Sequence, residues 1–140
     1  TVYPLLDKNY KISIIGKWLP MPFVEKIKSF QNVDYLGFVD NPYQLIANSL
    51  AVISPLFSGA GVKVKVVESL ACGTPVVGNE IAFEGISTDF GAFMIHADTP
   101  DGYAEKINNM KITLKERLDF KNKFMSNYQN QLISNYINSL

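Results

Sequence analysis

The chain has 140 residues, 47% of them hydrophobic and 19% charged, which suits one compact domain with a sizeable core and excludes a disordered chain. Its 13 basic and 13 acidic residues cancel, with no long basic stripe, so nucleic acid is not an expected partner. One cysteine excludes an intrachain disulfide and fits a reducing compartment, and no apolar run approaches the ~20 residues that span a bilayer.

Short apolar runs alternate with amphipathic segments along the chain. Ile12-Ser13-Ile14-Ile15-Gly16 is β-rich and stops at a glycine. Pro22 to Phe30 follows, with Phe23, Ile27 and Phe30 at helical spacing. Val33 to Val39 reads as a second strand. Asn41-Pro42 then opens a helix through Leu45 and Ile46, with Asp40 or Asn41 as its N-cap. Leu50 to Pro55 is a third strand. A glycine-rich loop and a helix to Ala71 come next, stopped by Cys72-Gly73. Pro75 to Gly78 and Phe93 to His96 are the fourth and fifth strands. Thr99-Pro100-Asp101 starts a helix that includes Tyr103, Ala104 and Ile107. Two further helices are predicted, Leu114 to Tyr128 and Asn130 to Leu140.

Short, nearly all-apolar strands alternating with helices indicate βαβ units and a parallel sheet covered on both faces. In such open sheets ligands bind beyond the carboxyl ends of the strands. That edge holds Gly16-Lys17, Gly37 to Asp40, Pro55 to Lys65 and Gly78 to Gly85.

The loop after the third strand reads GAGVKVKVVES, Gly59 to Ser69. Val62-Lys63-Val64-Lys65-Val66 alternates with period two and could be a half-buried strand. As a helix, Val62, Val66, Val67, Leu70 and Ala71 recur at three- and four-residue spacings. The Gly73 stop favours the helix. Lysines at a helix start oppose the helix dipole. Either both lie in solvent, or they and the free amides of the first turn face an anion such as a diphosphate. The pattern alone leaves these two open. The loop is neither a P-loop nor G-x-G-x-x-G.

The ungapped stretch from Ser54 to Gly78 (SPLFSGAGVKVKVVESLACGTPVVG) resembles the signature of retaining glycosyltransferases with the GT-B fold. It is most similar to the large group that includes glycogen synthases and many bacterial polysaccharide transferases. Val33 to Val39 resembles that family's strand before the base-binding loop, and Phe83-Glu84-Gly85-Ile86 its Glu-Gly after the PVV strand. The resemblance implies an α/β, Rossmann-like three-layer domain with a parallel sheet, the C-terminal half of a GT-B fold. The whole of 1–140 would be a partial donor-binding domain without the N-terminal, acceptor-binding domain.

The resemblance also implies a nucleotide-diphosphate sugar (UDP-, GDP-, ADP- or TDP-linked) as substrate, with no cofactor and no metal. Glu68 would hydrogen-bond the ribose hydroxyls, as a carboxylate can accept from two neighbouring donors. Gly59, Ala60, Gly61 and Val62 would bring backbone to the diphosphate. Lys63 or Lys65 would neutralise it. Val39 would border the base. Gly16, Phe38 and Glu84 are secondary candidates, Glu84 for the sugar. Many relatives carry an acid at a fixed spacing before the glutamate matched by Glu68; that position here is Ala60, so no catalytic carboxylate is assigned. Retention would proceed through electrostatic stabilisation of the departing diphosphate. A cytoplasmic enzyme, peripheral to the inner membrane face at most, is implied.

Relatives also have an earlier strand and helix, whereas only Thr1 to Asn9 precede Ile12 here. The first strand of a doubly wound sheet is central. The expectation is a fragment lacking its first βα unit, with a gap between inner strands, reduced stability or self-association. His96 is read as structural, Cys72 as an inert thiol, and Trp18 as a cleft or edge residue. The Asn/Gln-rich tail from Asn127 reads as a polar helix face whose Ile and Tyr residues would meet the partner domain. The competing functions are a nucleotide-sugar epimerase of the same fold, for which no acid/base groups stand out, and a non-catalytic scaffold or regulatory domain.

Overall fold

The computed structural model describes residues 2–86 and 89–139, with side chains described for all of these except Tyr3 and residues 128–139. A short 3-10 turn, Tyr3–Leu5, leads into β1 (Ile12–Ile15), α1 (Met21–Lys28), β2 (Val33–Gly37), α2 (Tyr43–Asn48) and β3 (Val52–Ser54). The second half runs through α3 (Val64–Ala71), β4 (Val76–Gly78), α4 (Glu80–Phe83), a 3-10 turn at Gly91–Phe93, β5 (Met94–His96), α5 (Pro100–Asn108) and α6 (Leu114–Ser139). The alternation is the one that the apolar runs predict.

The strands form two parallel sheets. β1 pairs with β2, Ile12 facing Val33 and Ile14 facing Tyr35, with an irregularity before Ile15. β3, β4 and β5 pair in that order, Val52 facing Val76 and Val76 facing Met94. No ladder joins β1 to β3 among the described residues. This is the gap that the sequence predicts between inner strands. Burial follows from it. All three residues of β4, which has a neighbour on each side, are buried, while the apolar residues of β1 and β3 are only half-buried. Hydrophobic strands at sheet edges cannot be covered as fully as a central one.

The main core lies under the second sheet. α3 buries Val66, Ser69 and Leu70, three- and four-residue neighbours on one face. They meet Val76, Ala82, Phe83, Phe93, Met94 and Phe124. The Phe93 and Phe120 rings stack at 3.8 Å, clamping α6 onto this layer. A second cluster joins Val77, Ala97, Tyr103 and Ile107 and carries the amino-terminal Val2, Leu6 and Tyr10.

Local chemistry sets the ends of the helices. Thr99 Oγ1 accepts the Gly102 amide at 3.1 Å at the start of α5. α6 opens with a capping box: Thr113 Oγ1 accepts the Glu116 amide, and Glu116 Oε2 accepts the Thr113 amide at 2.7 Å. α3 ends at Gly73, whose φ of +73° is the left-handed stop expected there. A side chain at Gly73 would also stand 2.6 Å from the Arg117 carbonyl. Arg117 itself ties the halves together: its guanidinium donates to the carbonyls of Ala47, Ser49 and Gly73 and to Thr74 Oγ1, all at 2.8–2.9 Å.

Three expectations change. The two closing helices are one, α6, because no glycine or proline interrupts the sequence between Tyr128 and Asn130. The contacts predicted for the tail's Ile and Tyr side chains lie outside the described residues. The N-cap of α2 is Pro42, neither Asp40 nor Asn41; Asn41 instead accepts the Tyr43 amide on its Oδ1 at 3.2 Å, ahead of the helix. Finally, the loop through Phe83 contains the one-turn helix α4, set by Asn79 Oδ1 accepting the Ala82 amide.

Candidate functional site

The segments that follow β1 to β4, including the first turns of α3, carry the donor-site residues that the sequence nominates. Period-two alternation in Val62 to Val66 does not produce a strand. The chain is loop to Val62, Lys63 is the extended N-cap residue, and α3 starts at Val64. Only Lys65 therefore lies within the first helical turn. Lys63 precedes the helix, so the helical spacing that joins Val66 to Leu70 does not set where its side chain lies.

The amides of Val66 and Val67 both donate to the Lys63 carbonyl, at 2.9 and 3.2 Å. The amides of Val64 and Lys65 are the first-turn donors left without a backbone partner. They point toward the space beyond the strands, where the helix dipole is positive.

Each lysine already has a carboxylate. Lys63, its side chain only 14% exposed, folds its stem against Gly59 and brings Nζ to 3.1 Å from Glu84 Oε2. It also donates to the Gly61 carbonyl. Lys65, with a side chain 71% exposed, donates to Glu68 Oε2 at 2.8 Å. Glu68 Oε1 accepts a second bond, from the Tyr43 hydroxyl at 2.9 Å. The Lys65 ammonium holds the Glu68 carboxyl below its ordinary range, and the Tyr43 hydroxyl adds to this. The same bond to Glu68 raises the Tyr43 phenol. Because the Glu68 value is lowered, its contribution to folding is present above the ordinary carboxylate range and is lost as pH falls through the lowered value.

The loop is held from behind. Gly85, at φ +79°, lets its backbone pass Val62 so closely that a side chain there would stand 2.8 Å from Val62 Cγ2. Asn79 Nδ2 donates to the Leu56 carbonyl, fixing the exit of β3 to the start of α4. Glu84 is thus a strut for Lys63 in this state. On its far side a cleft of about 620 Å³ is lined by Gly59, Glu80, Glu84, Asp89 and His96 among others. Three carboxylates and no lysine face it, which suits a neutral, hydroxyl-rich group better than a diphosphate.

On the other side of the edge, Gly16 donates its amide to the Gly37 carbonyl at 2.8 Å and accepts the Tyr35 hydroxyl at 3.0 Å. Phe38 lies exposed under the Lys17 ammonium, 3.8 Å from the ring centroid, and Val39 follows it. Among the described residues, Gly16, Phe38 and Val39 make no hydrogen bond or ion pair to the glycine loop. Trp18 is 92% exposed, at φ +64°, and Phe57 and Val64 are exposed on the same edge. Ala60 stays in the exposed loop and supplies no acid. The Cys72 thiol is raised by burial, the direction of an inert cysteine. His96 packs its ring on Phe83 at 4.7 Å.

Sequence reasoning passed over Tyr43, Asn79 and Arg117. Each acts across more than 20 residues of sequence, so no local spacing marks it.

Parallel strands, helices between them and a glycine loop feeding a helix start make this an α/β, Rossmann-like domain, and its fold matches the C-terminal half of a GT-B glycosyltransferase. Residues 1–111 match the family described as Glycosyl transferases group 1, and the chain belongs to that family. Similar solved structures are those of Anabaena Alr3699/HepE in complex with UDP (TM-score 0.74, 20% identity) and with UDP-glucose (TM-score 0.73, 19% identity). Both matches cover 99% of this chain and 43% of that one, so the chain spans under half the length of those proteins. No curated protein matches the sequence. No helix of the described residues is long and apolar enough to cross a membrane.

Proposed function

We propose that this domain binds a nucleotide-diphosphate sugar, and that the whole protein transfers the sugar with retention to a glycan, lipid or other acceptor. The acceptor would be held by an N-terminal domain, and the enzyme would work in the cytoplasm. The observation that carries this reading is the arrangement around α3: two unbonded first-turn amides, two lysines beside them, and a carboxylate farther along the helix. Amides and lysines suit a diphosphate, and Glu68 suits the paired hydroxyls of a ribose.

In this reading the diphosphate lies over Val64 and Lys65. It draws Lys65 away from Glu68 and competes with Glu84 for Lys63. Phe38 and Val39 border the base. The sugar extends toward the neutral-ligand cleft beside Glu84. As the bond to the sugar breaks, negative charge grows on the departing diphosphate, beside the first-turn amides and within reach of the two lysines once they leave their carboxylates. No protein nucleophile is required, in keeping with Ala60.

UDP is the first nucleotide to try, since the similar proteins hold UDP or UDP-glucose. Calorimetry with UDP, GDP, ADP and TDP is expected to find one of the four bound at sub-millimolar concentration, which also names the base. No binding of any at millimolar concentration overturns the donor reading in favour of a scaffold.

A further inference from the structure

We propose that Tyr43 is a positioning residue for Glu68, and that it sets the site's preference for ribose over deoxyribose. This rests on the donor-binding reading above.

Glu68 Oε1 accepts from the Tyr43 hydroxyl at 2.9 Å, and Oε2 accepts from Lys65 Nζ at 2.8 Å. The carboxylate is therefore gripped at both oxygens, one bond each. A carboxylate oxygen has two acceptor positions, so each retains one. Two parallel acceptors in a fixed plane match two vicinal hydroxyls. A freely rotating glutamate would have to be ordered at the moment of binding, at an entropic cost.

Of the two partners, Tyr43 is the one suited to stay. Lys65 is exposed and is the cation that a diphosphate would attract. Tyr43 is uncharged and has two side-chain torsions. It is anchored at the first residue of α2, where Asn41 Oδ1 accepts its amide. Tyr43 is itself exposed, so its hydroxyl could bond water instead of Glu68. The bond crosses from α2 to α3, so it fixes the base-side loop after β2 relative to the ribose carboxylate.

The test compares wild type with Tyr43→Phe, which keeps the ring and removes only the hydroxyl. Calorimetry uses UDP, 2′-deoxy-UDP and inorganic pyrophosphate. One lost hydrogen bond predicts that UDP affinity falls about fivefold. The 2′-deoxy-UDP affinity falls by less than UDP, and pyrophosphate affinity is unchanged. The nucleotide-free protein provides an independent readout: the Glu68 carboxyl, followed by NMR titration, rises in Tyr43→Phe, with only the small drop in melting temperature that the lost bond itself implies. Equal UDP affinity in both proteins overturns the role of Tyr43 alone. So does an equal loss for all three ligands, which would mark a general structural effect. Failure of wild type to bind UDP or any other nucleoside diphosphate overturns the donor reading and this inference with it, whereas the Glu68 titration would still report the grip itself.

Discussion

Replacing Arg117 by alanine is expected to destabilise the domain by about 3 kcal/mol or more, because bonds between a charged group and its partners contribute ~1.5–3 kcal/mol each and the acceptors are left behind. Arg117 is the chain's only arginine. It lies early in α6 and reaches three backbone carbonyls that helix geometry leaves unpaired: Ala47 and Ser49 at the end of α2, and Gly73 beyond α3. A cation beside helix carboxyl ends is favoured by the dipoles as well. Thr74 Oγ1 accepts the fourth bond and donates its own O–H to the Ile46 carbonyl at 2.8 Å. Arg117→Lys should recover only part of the loss, since an ammonium cannot present the planar fork that reaches four acceptors. Urea unfolding followed by circular dichroism measures both variants. A midpoint shift in Arg117→Ala worth under about 0.5 kcal/mol, the scale of an ordinary surface substitution, would show that the brace contributes little.

The second large effect concerns binding. Glu68→Ala is expected to weaken nucleoside diphosphate binding about tenfold or more, through loss of a charged acceptor for the ribose hydroxyls. The change should leave the fold in place, because Glu68 borders solvent and its partners Tyr43 and Lys65 are themselves exposed. Pyrophosphate provides the contrast. It has no ribose, and removal of the carboxylate frees Lys65 beside the helix start. Its affinity should therefore hold or rise. A parallel fall for nucleotide and pyrophosphate would instead place Glu68 in the support of the loop, not in contact with ribose.

Much of this was legible in the sequence, and the residues show why. The apolar runs around Ile14, Val33, Ile53, Val76 and Met94 each became a parallel strand, because a sheet covered on both faces demands near-continuous hydrophobicity. Gly73 ended α3 where a left-handed stop was needed. The separation of β1 from β3 agrees with the expectation drawn from the family resemblance, whose members carry an earlier strand. The start of α3 was less legible. Lys63 and Lys65 look equivalent as letters, yet one is a largely sheltered cap residue bonded to Glu84 and the other an exposed helical residue bonded to Glu68. A shift of two residues in where the helix begins decides that, and helix starts are weakly encoded without a side-chain cap. Tyr43 and Arg117 were illegible for another reason. Their partners are distant in sequence and are chosen by how α2, α3 and α6 pack.

The central claim is that the edge from Gly59 to Glu68 receives a nucleoside diphosphate. The most direct test is to titrate the isotope-labelled chain with UDP, or whichever diphosphate binds in calorimetry, while following backbone amides by NMR. The account predicts the largest shifts at Gly61 through Lys65, with further shifts at Val39, Tyr43 and Glu68. Shifts centred instead on Glu80, Asp89 and His96, with the Val64 and Lys65 amides unmoved, would contradict it.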